Sequence, residues 1–168
     1  MNVELQLGEG DTAESRSPLP GELKAPLSEI LEGMIVEVCP DLAERERVEI
    51  SLAFVDPETM ADLNSRYRES DGPTDVLSFP QWEDERGHFS PPQWPVLPLG
   101  DVVICDDVVR ANALSSGQSH DAERVLIILH GVLHLMGLDH DDSASEERMW
   151  EIQNRYRDLV MARFGRSV

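Results

Sequence analysis

The residues best suited to chemistry lie in the segment HGVLHLMGLDH, which runs from His130 to His140. His130 and His134 are four residues apart, so on a helix they project from one face. Gly137 can take the left-handed conformation that ends a helix, and His140 follows far enough along to fold back toward the other two. Three imidazoles that converge in this way leave a fourth tetrahedral position open, which is typical of a catalytic zinc site.

Metal ligation competes with a simpler interpretation, because one histidine on an apolar helix is more often a core residue and a pair also occurs by chance. The third histidine and the intervening glycine favour ligation. Imidazole suits zinc, although nickel, copper and iron also accept it. The sequence therefore predicts one Zn²⁺ per chain, held by His130, His134 and His140.

The residue after the first histidine bears on the reaction. Zinc proteases with the same H-x-x-x-H-x-x-G-x-x-H frame carry a glutamate there as general base, whereas this chain has Gly131. A glycine inside a helix costs about 1 kcal/mol relative to alanine. We therefore expect position 131 to need room or a close backbone approach, and a metalloprotease is the less favoured alternative.

The chain of 168 residues carries a net charge of −19. Its length is most simply one domain over 1–168. Such acidity repels polyanions at long range, whereas general nucleic-acid binding needs a basic face. An RNA substrate would therefore need local contacts or a partner that delivers the protein.

The chain has no apolar run of membrane-spanning length and no secretory signal pattern, so we expect a cytoplasmic protein with no membrane partner. Its two cysteines, Cys39 and Cys105, are too few and too far apart for a disulfide framework. We expect both to be reduced core residues.

Periodicity along the chain predicts both strands and helices. Alternating or continuous apolar runs predict strands at 3–7, 48–54, 76–79 and 101–105. Helical spacing predicts helices at 27–38, 56–68, 107–116 and 121–136 and a last one after 143, with inward-facing Tyr67 and Leu159 and a capping box of Ser143 and Glu146. We expect loops at 8–26 and 81–98, the second long enough to be a functional flap.

Arg66 and Arg68 stand at the end of the second predicted helix. Cations are favoured at a helix C-terminus, so a solvated surface role explains them adequately. An arginine that faced the metal pocket would instead bind phosphate through two parallel hydrogen bonds.

Three blocks occur in order along the chain: LNSRYRESDGPTDVLSFP (63–80), LGDVVIC (99–105) and HGVLHLMGLDH (130–140). Together they resemble the YbeY family of bacterial rRNA maturation factors, which are metal-dependent hydrolases and endoribonucleases. The resemblance covers nearly all of 48–159. It implies an α+β fold, with a mixed four-stranded sheet packed with about five helices and a zincin-like histidine helix.

Carried over by motif, the resemblance implies that His130, His134 and His140 are the metal ligands and that Arg68 is a functional arginine. It implies a single-strand-specific, metal-dependent endoribonuclease that acts in 16S rRNA 3′-end maturation and in late quality control of the 70S ribosome. The implied partners are rRNA and the small ribosomal subunit, with a small-subunit ribosomal protein and an assembly GTPase as candidates, and no DNA.

In such a site the metal would polarise a phosphoryl oxygen or activate water, and Arg68 would hold the phosphate. Asp139 could orient an imidazole or cap the turn. The main alternative is a non-catalytic ribosome-assembly factor with a structural metal, because the acidic surface suits docking to basic ribosomal proteins.

Overall fold

A computed structural model of the chain describes residues 1–8, 18–139 and 142–165. Within these ranges the strands are β1 (Asn2–Leu7), β2 (Arg47–Phe54), β3 (Val76–Pro80) and β4 (Val96–Ile104). The α-helices of the same ranges are α1 (Gly21–Val38), α2 (Pro57–Arg68), α3 (Asp106–Ser116), α4 (His120–Leu135) and α5 (Ser143–Phe164), and a short 3-10 helix covers Pro40–Glu44.

The strands form one mixed sheet in the order β1-β2-β4-β3. The β1–β2 and β2–β4 pairs are parallel, and β3 runs antiparallel to β4 at the edge of the sheet. Parallel neighbours need a crossover connection, which α1 supplies between β1 and β2. The predicted α+β class, with four strands in a mixed sheet and about five helices, is confirmed.

The histidine helix α4 lies in the centre of the fold, where it packs against α3, α5, β3 and β4. It is apolar on nearly every side, and its buried residues include Val125, Ile128, Leu129, Val132 and Leu133. The predicted burial of this helix is confirmed. A helix held on so many sides is a rigid support for the side chains that it carries.

Helix α2 packs on the opposite face of the sheet from α4. Leu77 and Phe79 join Met60 of α2 in a second apolar cluster. Ser78, which lies between them on β3, points the other way, and its Oγ donates to the Gly131 carbonyl of α4 at 3.0 Å. The edge strand β3 therefore lies between the end of α2 and the histidine helix.

Several predicted boundaries differ from the structure. The 8–26 loop ends earlier, because α1 begins at Gly21 and includes Pro26; residues 9–17 of that loop lie outside the described ranges. The second loop ends at residue 95 rather than 98, since β4 begins at Val96. Pro98 is tolerated in β4 because it lies at the irregularity in the β2–β4 pairing.

Two side chains predicted to face inward are exposed: Tyr67 by 65% and Leu159 by 46%. The predicted Ser143–Glu146 capping box is also wrong, because Asp142 caps α5 by accepting the Ser145 N–H at 2.8 Å. By contrast, the predicted Asp56 cap of α2 is confirmed, with its carboxylate accepting the Thr59 N–H at 2.7 Å.

The two cysteines are free thiols, with Cys105 buried and Cys39 half-buried. Burial raises the pKa of both thiols, which keeps them protonated and unreactive. In the part of the chain that the structure describes, no helix combines the length and the apolarity needed to cross a membrane.

Candidate active site

His130 and His134 face each other on the last two turns of α4. Their Nε2 atoms are 3.1 Å apart, and their rings meet edge to face with centroids 4.6 Å apart. Both side chains are half-buried. The predicted pairing of the two imidazoles on one helix face is confirmed. The third predicted ligand, His140, lies outside the described residues.

The spacing of these two nitrogens fits a shared metal ion. Two imidazole nitrogens on a tetrahedral zinc, each 2.0–2.1 Å from the metal, are separated by roughly 3.3 Å. The observed 3.1 Å needs only a small adjustment to match. Among the described residues no group of three or more His, Cys, Asp or Glu side chains is gathered for a metal, and the third predicted ligand, His140, is not among those residues.

Gln153 of α5 fixes the orientation of the His130 ring. Its Oε1 lies 2.9 Å from His130 Nδ1, and the residue is 7% exposed. An amide oxygen only accepts, so Nδ1 must carry the proton in this contact. In the neutral ring Nε2 is then left with its lone pair, as metal binding requires. The sequence analysis missed Gln153, whose only signal is a polar residue on the inward face of α5.

The turn after α4 has the glycine that the motif requires. Gly137 has φ of +80°, and the N–H groups of Gly137 and Leu138 close the helix on the carbonyls of His134 and Leu133 at 3.0 and 3.1 Å. These two bonds form a Schellman motif. The prediction that Gly137 ends the histidine helix in a left-handed turn is confirmed.

At Gly131 the backbone of α4 lies close to β3 and β4. A Cβ at this position would lie 2.6 Å from Val102 Cγ1 and 3.3 Å from Ser78 Oγ. Of the two expectations for this glycine, close packing is therefore the one that the structure supports. A side chain here would be directed at β3 and β4, so a glutamate at 131 has no space in this fold.

A cleft of about 530 Å³ opens beside His134 at the edge of β3. It brings His134 together with Arg68, although the two residues come from helices on opposite faces of the sheet. The other lining residues come from β3, the 81–95 loop and the turn after α4: Ser78, Pro80, Glu83, Arg86, Gly87, His88, Gly137, Leu138 and Asp139. Asp139 is exposed in the cleft wall.

Arg66 and Arg68, which the sequence could not distinguish, lie in different places relative to the cleft. Arg66 pairs with Asp62 of its own helix at 3.1 Å, outside the cleft. Arg68 reaches the cleft because α2 ends there, at Glu69 with φ of +52°. The side chain of buried Asn64 holds the segment that follows α2 by donating to the Gly72 carbonyl at 2.9 Å. Arg66 therefore lies where the surface interpretation expects it, whereas Arg68 lines the same cleft as His134.

The 81–95 loop, which we call the flap, is built around Asp84. This carboxylate accepts the N–H groups of Arg86 and His88 at 2.8 and 2.9 Å. These backbone hydrogen bonds hold the pKa of Asp84 below its usual range. Phe89 packs against Gly137, where a Cβ would lie 3.3 Å from Phe89 Cβ. The flap is therefore ordered and presents Arg86 and His88 to the cleft, a role that the sequence analysis did not assign.

The positive charges of the cleft are available for an anion. Neither Arg68 nor Arg86 forms an ion pair with any other described residue, although the chain is strongly acidic. Most other arginines in the described ranges are paired with carboxylates: Arg47, Arg66, Arg110, Arg124, Arg155, Arg157 and Arg163. The cleft thus places two guanidinium groups that pair with no described carboxylate beside His134, in a lining that also contains Glu83 and Asp139.

Several known proteins with similar sequences share one description. The family model "Endoribonuclease YbeY" matches residues 21–160. A protein of that name from Frankia casuarinae is 45% identical over 109 residues, covering 64% of this chain and 54% of its own length. Another from Desulfitobacterium hafniense is 35% identical over 147 residues, covering 88% and 91%. The chain spans little more than half of the Frankia protein but almost all of the Desulfitobacterium one.

A solved structure also matches the fold. The solution structure of a Thermotoga maritima protein, TM1509, covers 97% of this chain and 91% of its own, with a TM-score of 0.58 and 26% identity. The family model spans most of the sequence, including the arginine and histidine blocks. The chain belongs to the endoribonuclease YbeY family.

Proposed function

We propose that this protein is a metal-dependent endoribonuclease that cleaves single-stranded RNA. The observation that carries the proposal is the pair of imidazole nitrogens 3.1 Å apart, with His134 lining the cleft that also holds Arg68. Cleavage of a phosphodiester needs one positive group that binds the phosphate oxygens and a second that activates the attacking water. The cleft has candidates for both.

The proposed ligands of one Zn²⁺ are His130, His134 and His140. A zinc ion held there would supply Lewis-acid polarisation of a phosphoryl oxygen and activation of water. Gln153 keeps the proton of His130 on Nδ1, so that Nε2 faces His134 as an acceptor. Asp139, in the wall of the same cleft, is the candidate that orients a further imidazole.

Arg68 is the proposed phosphate-binding residue. Its guanidinium can donate two parallel hydrogen bonds to phosphate oxygens and offset the charge that develops in the transition state. No carboxylate of the described residues pairs with it, so phosphate need not displace an internal partner. Arg86 on the flap adds a second positive charge to the same cleft. These local contacts supply attraction for RNA that the overall charge of −19 does not.

The biological substrate that we propose follows from family membership. It is the 3′ end of 16S rRNA, with late quality control of 70S ribosomes alongside. The proposed location is the cytoplasm, and the proposed partners are rRNA, the small ribosomal subunit, a small-subunit ribosomal protein and an assembly GTPase. The acidic surface favours docking to basic ribosomal proteins.

A metalloprotease is disfavoured by position 131, where a glutamate base would collide with Val102. A non-catalytic assembly factor with a structural metal is the alternative that the acidic surface favours. A metalloprotease would cleave peptides, and a non-catalytic assembly factor would cleave neither peptides nor RNA.

A cleavage screen distinguishes them. Metal-replete protein is incubated with precursor 16S rRNA, with unstructured RNA and with a peptide library. We expect RNA cleavage alone, strongly reduced in Arg68→Glu and retained in Arg66→Glu, which makes the same charge change two residues away outside the cleft. Peptide cleavage would support the protease. Absence of any cleavage by folded, zinc-loaded protein would support the assembly factor.

A further inference from the structure

A second, smaller cleft adjoins the candidate active site on the far side of Arg68. Its volume is about 230 Å³, and it shares Arg68, Ser78 and Pro80 with the larger cleft. The residues that it adds are apolar or aromatic: Tyr67, Leu77 and Phe79. The two clefts are therefore adjacent at Arg68, and the smaller one offers aromatic surface where the larger one offers charged groups.

Tyr67 is the most prominent part of the smaller cleft. The residue is 65% exposed, although Met60 and Asn64 of the same helix are buried. Scattered exposed aromatic residues are common on protein surfaces and alone need no explanation. Tyr67 differs because it lines a cleft and directly precedes the cleft arginine Arg68.

The ring of Tyr67 is also held in place. Phe79 of β3 meets it edge to face, with ring centroids 5.1 Å apart and planes at 82°. Phe79 is itself half-buried against the apolar cluster of Met60, Leu77 and Cys105. A ring that meets a single packed neighbour nearly at right angles keeps at least one face available for a flat ligand, at low cost in side-chain entropy.

We propose that Tyr67 is a base-stacking subsite, which binds one unpaired nucleobase of the RNA whose phosphate Arg68 holds. The inference rests on the proposed function, because Arg68 is what links the aromatic cleft to the phosphate. Proteins that bind single-stranded RNA stack its splayed bases on exposed aromatic rings beside positive charges. A base in a duplex is stacked and paired and cannot reach the ring, so Tyr67 would contribute to single-strand preference.

Binding is tested without cleavage, with metal-stripped protein and short RNAs that carry 2-aminopurine at each position in turn. The fluorescence of 2-aminopurine is quenched when the base stacks on an aromatic ring. We expect the reporter to be dimmer in the wild-type complex than in the Tyr67→Ala complex at one position, and Tyr67→Phe to behave like wild type. Affinity for single-stranded RNA should fall roughly 10-fold or more in Tyr67→Ala. Affinity for duplex RNA should not change.

Leu114→Ala is the matched control, since Leu114 is 79% exposed on α3 and does not line either cleft. Thermal melting of each variant checks the fold. With metal-loaded protein, Tyr67→Ala should raise KM for single-stranded RNA and change kcat little, because a stacked base is held equally in the ground and transition states.

The outcomes separate the two proposals. Wild-type protein that shows Tyr67-dependent quenching but never cleaves RNA would support the subsite and contradict the enzymatic function. Equal reporter fluorescence and equal RNA affinity in wild type and Tyr67→Ala would overturn the subsite, whether or not RNA is cleaved. Wild-type protein that binds no single-stranded RNA would overturn it as well.

Discussion

The Nδ1 atom of His130 lies 2.9 Å from the amide oxygen of Gln153, a residue of a different helix, 23 positions further along the chain. This contact sets the tautomer of the ring, because the amide oxygen accepts the Nδ1 proton and leaves Nε2 for His134 and the proposed metal. Gln153 is buried, so few alternative orientations are open to it. The candidate metal site thus extends from α4 into α5.

Replacing Gln153 by leucine should weaken metal binding by roughly 10- to 100-fold, as loss of an outer partner of a histidine ligand does in other metal sites. The expected cause is loss of the tautomer preference, so Gln153→Glu, which keeps an acceptor, should retain most of the affinity. Competition with a fluorescent zinc chelator measures the dissociation constant. Asn154→Leu, an exposed change at the next position, is the control. Unchanged affinity in Gln153→Leu would contradict this role.

Two physical effects predict opposite changes in the stability of a Gly131→Ala variant. Helix propensity alone expects Gly131→Ala to stabilise the protein by about 1 kcal/mol. The added Cβ would, however, lie 2.6 Å from Val102 Cγ1, on a buried and stiff side chain. We expect overpacking to dominate and the free energy of unfolding in urea to fall by roughly 1–3 kcal/mol.

Val102→Ala should partly relieve that effect, so that the double variant is more stable than the sum of the single changes implies. A Gly131→Ala protein that is more stable than wild type would show that α4 has space to move away from the sheet.

The two arginines of the cleft, which form no ion pair within the described part of the chain, predict a salt dependence. If Arg68 and Arg86 each neutralise one RNA phosphate, replacing either by alanine should reduce the slope of log affinity against log salt by roughly 0.7. Binding to single-stranded RNA is titrated by fluorescence anisotropy at several salt concentrations. Arg66→Ala, which removes an arginine already paired with Asp62, should leave the slope unchanged. Equal slopes for all four proteins would rule out direct phosphate contacts by Arg68 and Arg86.

Glu123 predicts a pH-dependent stability. Burial, and then the nearby charge of Asp75, raise the pKa of this carboxyl, and Arg157 offsets part of the effect. A carboxyl whose pKa is higher in the folded state costs stability when it is ionised, so the cost is present at neutral pH and disappears as pH falls toward the unfolded-state value. Glu123→Gln should therefore raise Tm by a few degrees at pH 7.5 and by less at pH 4.

Thermal unfolding across that range, with exposed Glu147→Gln as the control, measures the difference. A larger stabilisation by Glu123→Gln at pH 4 than at pH 7.5 would contradict the predicted direction of the pH dependence.

The strongest sequence signals were local, and the structure confirms them. The four-residue spacing of His130 and His134, the turn glycine at 137 and the Asp56 cap each depend on neighbouring residues alone. A periodic pattern gives the type of an element better than its end or its exposed side, because neighbours elsewhere in the fold decide those. Tyr67 shows this: its spacing matches an inward face, yet the sheet edge leaves it exposed.

The rest of the site depends on contacts that no local pattern records. Gln153 meets His130 only because α5 packs against α4. The sequence does not distinguish Arg66 from Arg68. Only the folded chain does, because β3 and the flap form the cleft that Arg68 lines. Family resemblance singled out Arg68, which lines the cleft, whereas the positions of Arg86 and His88 depend on the turn that Asp84 builds.

The most direct test measures zinc content and cleavage of single-stranded RNA on the same preparations of wild type, His134→Ala and His120→Gln. His120 is on the same helix but contacts Asp106, so it controls for the loss of a histidine. We predict one zinc per chain and RNA cleavage in wild type and His120→Gln. In folded His134→Ala we predict little zinc and a rate reduced by more than the roughly 100-fold that an outer partner can cost. Folded His134→Ala that lacks zinc and cleaves RNA at the wild-type rate would contradict the account.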